Sequence, residues 1–306
     1  MAIPMLEQVV VRERARPQEL LSAYLNLTKP RIIVLLLVTT VPAMFLAARG
    51  VPSLGLVVAT LVGGTLAAGG ANAINQYVDR DIDEIMRRTR RRPLPAHAIA
   101  PTSALVFGSG LAIAAFVFLT LTVNLLAASL AMSAVVFYAL VYTVWLKRRT
   151  AQNIVIGGAA GAVPTLVGWA AVTGRVGLPA LGLFLIVFLW TPPHFWALSL
   201  RYCEDYRAAG VPMLPVVRGV ERTVREIFVY ALVLVAATIA FMPVAHMGLL
   251  YGTSAVVLGA WFVRGTLRLR ANPTPAAAMA VFRDSILYLS LLFLAVALDA
   301  LVGRVI

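Results

Sequence analysis

What most constrains this chain is a succession of apolar blocks separated by short polar breaks. A helix needs roughly 17–25 mostly apolar residues to cross a hydrocarbon core about 30 Å thick. Nine stretches meet that need, at about 31–48, 54–74, 102–121, 124–146, 152–172, 178–200, 223–243, 247–266 and 281–302. With no water in the bilayer to satisfy peptide groups, blocks of this length must be helical. The expected fold class is therefore an all-α polytopic membrane protein with nine transmembrane helices. Thr122-Val123 and Val244-Ala245-His246 are linkers short enough to force antiparallel hairpins, whereas Asn75 to Pro101 and Arg201 to Arg222 are longer and polar. The composition excludes an ordinary soluble globule: 61% of residues are apolar, 13% are charged, and the mean hydropathy is +0.89. One cysteine, Cys203, excludes a disulfide framework and a multi-cysteine metal site.

The formal charge of +13 invites a nucleic-acid reading, and its distribution answers it. With the N-terminus cytoplasmic, 23 of the 26 Lys and Arg residues fall on the inner side, leaving Arg49, Arg175 and Arg304 outside. That bias fixes a cytoplasmic N-terminus and accounts for the charge without nucleic acid. Residues 1–28 alternate acids with bases and lack an apolar core, so they read as a cytoplasmic tail rather than a leader, with Leu20 to Leu27 along the membrane surface. Residues 29–306 read as one transmembrane domain.

Carboxylates are scarce, and four of the thirteen fall together as Asp79, Asp81, Asp83 and Glu84. Asn72, Asn75, Asp79 and Asp83 are spaced by three, four and four, which puts them on one helical face, with Asp81 on the other side. Such a face suits Mg²⁺ shared with a phosphate ester, or equally a solvated acidic segment following a span. A run of arginines follows, from Arg87 to Arg92. Guanidinium forks beside a bound cation would hold a phosphate ester that acids alone would repel, and Arg88 and Arg92 are the candidates. Glu204 and Asp205 lie at the inner end of the sixth span, where they can meet the first group over one cavity mouth. The Gly157/Gly161 pair reads first as close helix packing and second as part of a substrate pocket.

Asn75-x-x-x-Asp79-x-x-x-Asp83, followed by Arg88-Thr89-x-x-Arg92-Pro93-Leu94, resembles the first aspartate-rich motif of the UbiA-type intramembrane prenyltransferases. Further blocks resemble the protohaem IX farnesyltransferase branch of that superfamily. They are Asn72 to Asn75, Tyr142 to Arg148, Asn153 to Gly158 with Gly161 and Pro164, Trp190 to Leu198, and Asp205 to Pro215. The superfamily's second aspartate repeat is degraded here, with His194, Arg201, Glu204 and Asp205 occupying that stretch.

The resemblance implies a UbiA-like bundle with a cytoplasmic cap over its cavity, in a bacterial inner membrane. It implies farnesyl transfer from farnesyl diphosphate to a vinyl group of haem b with addition of water, using Mg²⁺, and a haem A synthase as downstream partner. On that basis Asn75, Asp79, Asp83, Lys147 and His194 are candidate catalytic residues. Arg88, Arg92, Lys147 and Arg148 are candidates for the diphosphate, and Asn72, Tyr142, His194 and Trp196 for the haem and prenyl groups. Asn75, Asp79, Asp83, Glu204 and Asp205 are the candidate metal ligands. His194 sits within a span, where a polar side chain is expected either to contact substrate or iron or to be hydrogen-bonded in the structure. Two other readings compete with this one. A quinone-precursor prenyltransferase would lack the Thr191-Pro192-Pro193-His194-Phe195-Trp196 block, and an ion-coupled transporter would carry its acids near the midplane.

Overall fold

The computed structural model describes residues 16–303, so Arg12, Arg14 and Arg304 lie outside the described residues. Among the described residues it is helical throughout, with no strand. α1 (Pro17–Thr28) is a short leading helix. α2 (Pro30–Ala48), α3 (Leu54–Ile85) and α4 (Pro101–Thr122) follow. α5 (Leu125–Val136) runs on without a break into a ten-residue π-helix, Phe137–Leu146. α6 (Asn153–Thr173) and α7 (Leu178–Arg201) come next, then the short α8 (Cys203–Ala208). α9 (Leu214–Val244), α10 (Leu249–Ala271) and α11 (Pro275–Val302) complete the bundle. Each apolar block of the sequence thus corresponds to one long helix among the described residues.

Eight of these helices are long and apolar enough to cross a membrane. α10 is the exception, because Gly, Ser, Thr and Arg punctuate its apolar run. Large apolar side chains face outward along the helices, as at Val106, Ile113, Val117 and Leu121 of α4. Lipid is the solvent that tolerates such a surface. Some buried polar groups are satisfied across the bundle. Asp299 of α11 accepts the amides of Gly248 (2.7 Å) and Tyr251 (3.0 Å), capping α10 from a neighbouring helix.

Two features position the site. The polar segment after the second span is helical as far as Ile85, so Asn75 to Glu84 extend α3 rather than open a loop. Pro17 to Thr28 form a helix that turns Ala23 and Leu27 onto Ala73, Leu94, Ile99 and Ala104, while Leu20, Leu21 and Leu25 stay exposed. α1 is thereby held against the face of α3 that carries the acids, and Gln76 of α3 donates to the Leu27 carbonyl at 2.9 Å.

Candidate active site

The uninterrupted α3 keeps the 3.6-residue period through the acidic run, so Asn72, Asn75, Asp79 and Asp83 share one face, and all four are buried. Each has a different partner. Asn72 Nδ2 donates to the Thr28 carbonyl (2.9 Å), which ties α3 to the end of α1. Asn75 Nδ2 donates to Asp79 Oδ2 (2.8 Å) and to the Thr143 hydroxyl (3.1 Å), while its Oδ1 accepts from Lys29 Nζ (2.7 Å). Asp79 Oδ2 also takes the Lys147 ammonium. Asp83 Oδ2 pairs with Arg92 at 2.7 Å, and its backbone carbonyl accepts from the Thr89 hydroxyl at 3.0 Å. Asp81 points away and is held by both Arg148 nitrogens at 2.7 Å in an exposed fork.

The π-helix supplies the facing wall. Its wider turn is closed by a backbone bond five residues apart, from Lys147 N to the Tyr142 carbonyl (2.8 Å), and the Thr143 hydroxyl donates to the Tyr138 carbonyl (2.7 Å). Such segments recur at functional sites because they reset which side chains face inward. Here Thr143 meets Asn75, and Lys147, one turn on, meets Asp79. Tyr142 stacks on Tyr138 at 5.3 Å between ring centres. It lies against α6 at Gly157, where an added Cβ would stand 2.2 Å from Tyr142 Cδ2. Gly157 is therefore packed, whereas Gly161 has open space around it.

Lys29 was not singled out in the sequence, yet a signal was present. The chain has two lysines among its 26 basic residues, and both reach the Asn75–Asp79 pair. Lys29 joins α1 to α2 in a left-handed conformation (φ 53°), which costs a residue other than glycine roughly 1–2 kcal/mol. Desolvation, followed by the Arg92 charge and then Lys147, holds its ammonium well below the usual lysine range, with Asp79 and Asp83 opposing.

The other candidates fall into three groups. Arg88 lies over the Tyr202 ring at 5.5 Å, so the segment after α3 meets the segment after α7. His194 is buried in the contact between α7 and α11, between the rings of Trp190 (4.2 Å) and Phe282 (4.5 Å). Its Nδ1 is 2.7 Å from the Ser285 hydroxyl, which itself donates to the Phe282 carbonyl. Ser285 therefore accepts, Nδ1 carries the proton, and Nε2 keeps a lone pair. Trp196 is buried edge-on to Tyr230, and its Nε1 has no partner. Glu204 is exposed and paired with Arg207, Asp205 is half-buried, and neither forms a three-residue His, Cys, Asp or Glu cluster with the α3 acids among the described residues.

Whether the α3 face suits a divalent cation can be tested on one atom. Asp79 Oδ1 is buried with no hydrogen-bond partner, which is costly for a carboxylate oxygen. An unpartnered carboxylate oxygen, with the oxygens of Asn75 and Asp83 on the same helical face, is a donor set that Mg²⁺ accepts. Two ammonium groups and a guanidinium surround it, so an anion brought there by the cation would meet positive charge.

A model of the UbiA prenyltransferase family matches residues 36–296. A protein of Frankia alni named protoheme IX farnesyltransferase is 54% identical over 286 residues, spanning 92% of this chain and 99% of its own. One of Gloeobacter violaceus with the same name is 54% identical, spanning 92% of each chain. Among solved structures, a digeranylgeranylglyceryl phosphate synthase superposes with a TM-score of 0.76 at 20% identity over 92% of this chain and 99% of its own. A UbiA homologue from Archaeoglobus fulgidus bound to DMAPP and Mg²⁺ gives 0.62 at 17% identity, over 89% and 98%.

Proposed function

The chain belongs to the UbiA prenyltransferase family, and from that premise we propose that it transfers a farnesyl group from farnesyl diphosphate to a vinyl group of haem b, with addition of water, to give haem O and diphosphate. The observation that carries this reading is its identity of 54% with haem-farnesylating relatives over nearly the whole chain, joined to the buried Asn75–Asp79–Lys147 centre.

In this reading Asn75, Asp79 and Asp83 hold Mg²⁺, which when bound supplies charge neutralisation to the departing diphosphate. Lys147, Lys29 and Arg92 turn their donors toward the same anion, and Arg88 reaches it from the segment that contacts Tyr202. These fixed cations stabilise charge that grows as the allylic carbon–oxygen bond breaks. The tyrosine faces of Tyr138 and Tyr142 lie beside the centre, where an allylic cation gains about 0.5–2 kcal/mol from each ring it meets. The farnesyl chain lies among apolar side chains of the bundle. The vinyl group bonds to the farnesyl carbon, and water captures the cation left beside the porphyrin, losing a proton to give the hydroxyl.

The membrane setting proposed is a nine-span bundle in a bacterial inner membrane, with the N-terminus and the acidic face cytoplasmic. It is supported by nine long helices among the described residues and by the inner excess of arginine. α10 then spans as the partner of α9 and α11, its Arg268 and Arg270 at the inner rim. The segments 86–100 and 202–213 cap the cavity, and a haem A synthase receives the product.

The test is incubation of the purified protein with haem b, farnesyl diphosphate and Mg²⁺, followed by mass spectrometry of the porphyrin. The expected product is haem b plus one farnesyl and one hydroxyl group. Unchanged haem b, or prenylation of a quinone precursor instead, would overturn the assignment.

A further inference from the structure

A cavity of about 520 Å³, lined by none of the acidic-face residues, lies where the start of α6 meets α7 and the start of α9. Its size is that of a site for a small organic molecule, about 300–1,000 Å³. Trp196, Tyr230 and Leu214 give it an apolar and aromatic wall, and Gln152, Arg218 and Arg222 bring polar groups to it. Nearly all of those polar groups are donors. Guanidinium N–H groups cannot accept a hydrogen bond. The single acid, Glu226, is already paired with Arg222 at 2.6 Å. Arg218 makes no ion pair among the described residues and is the free cation of the cavity.

The backbone places Arg218 deliberately. Gly219 has φ 74° and ψ 173°, a conformation essentially restricted to glycine, and it breaks α9 directly after Arg218. In an unbroken helix Arg218 and Arg222 would stack one turn apart, an unfavourable like-charge pair. The break separates their registers while leaving both on one cavity.

An apolar wall with the Tyr230 ring standing edge-on to Trp196, beside an exposed guanidinium that no carboxylate of the described residues pairs, fits an apolar ligand with carboxylates along one edge. We propose that this cavity receives the propionate edge of the porphyrin acceptor, with the Arg218 guanidinium as the carboxylate partner and Gln152 as a further donor. The inference rests on haem b being the acceptor. It lets the charged edge stay at the cytoplasmic rim while the vinyl edge turns toward the bundle. Chain continuity and a shared buried cluster relate this cavity to the acidic centre. Gln152 follows Lys147 by five residues, and Trp196 packs in the same cluster as Ile82 and Met86 of the α3 end.

The experiment is an absorbance titration of the purified full-length protein with haem b and with haem b dimethyl ester, in detergent free of anionic lipid, for the native chain, Arg218→Ala and Arg218→Gln. The native chain should bind the diacid about tenfold or more tightly than the diester, as expected for a charge-assisted pair. Either Arg218 variant should bind the diacid at the diester's affinity and the diester unchanged. Two variants guard against one misfolding, and unchanged diester binding reports the fold. Equal native affinity for diacid and diester, or a variant that weakens both alike, overturns the inference while leaving farnesyl transfer intact. A variant that weakens farnesyl diphosphate binding and spares haem overturns it as well. No haem binding or farnesylation by the native chain would instead remove the function on which it rests.

Discussion

Lys147 and Asp79 form a buried ion pair, 2.5 Å between Nζ and Oδ2, that leaves the second carboxylate oxygen, Oδ1, enclosed and without a partner. Oδ2 takes both the Lys147 ammonium and the Asn75 amide, so Oδ1 is available to a cation.

Lys147→Met removes one member of a pair in which the lysine side chain is 14% exposed and the aspartate 0%. Breaking such a pair costs about 3–5 kcal/mol, because a buried charge is left uncompensated. Added Mg²⁺ should recover much of that loss by neutralising Asp79. Denaturant unfolding in detergent with and without Mg²⁺ checks this, and a loss that Mg²⁺ does not change would contradict it.

Asp81 and Asp83 are two residues apart and should behave oppositely. Asp81 forms an exposed fork with Arg148, a kind of pair worth about 0–1 kcal/mol, so Asp81→Asn should leave turnover near the native rate. Asp83→Asn withdraws charge from the buried face and should cost about a hundredfold or more in kcat, read from product formation.

Much of this was legible in the sequence, for a physical reason. A helix preserves its period, so the spacing of Asn72, Asn75, Asp79 and Asp83 announced a shared face and set Asp81 apart. The apolar blocks announced the long helices because lipid leaves no other way to satisfy the backbone. The rest depended on tertiary contacts that no local pattern encodes. The π-helix over 137–146 has the same apolar composition as an α-helix, yet its five-residue bonds aim Thr143 and Lys147 together. Arg148, expected at the diphosphate, is bound to Asp81, and Glu204, expected near the metal, is paired locally with Arg207. Lys29 sits 46 residues from Asn75 in the chain, and only the docking of α1 brings it there.

Gly157→Ala would place a methyl group 2.2 Å from Tyr142 Cδ2, so the ring must leave its stack on Tyr138. Overpacking of this kind costs about 1–3 kcal/mol, and displacement of the wall beside Lys147 should lower turnover about tenfold. Gly161→Ala meets nothing within 4 Å and should be neutral in both thermal melting and rate. Equal effects at the two positions would contradict the close approach at Gly157.

Cys203 is the sole cysteine and half-exposed, just past the end of α7. With the acidic face cytoplasmic, a membrane-impermeant maleimide should label it in inverted membrane vesicles and not in intact spheroplasts. Cys203→Ala supplies the background. Labelling from the outside would reverse the orientation.

The most direct test of the central claim is the affinity for farnesyl diphosphate, measured by titration calorimetry on the native chain and on Asp79→Asn, each in Mg²⁺ and in EDTA. The substitution keeps the shape of the side chain and removes its charge. The account predicts tight binding by the native chain in Mg²⁺ alone, and affinity about a hundredfold lower or worse when either the cation or the carboxylate is withdrawn. Native-like affinity for Asp79→Asn in Mg²⁺, or native binding indifferent to EDTA, would contradict it.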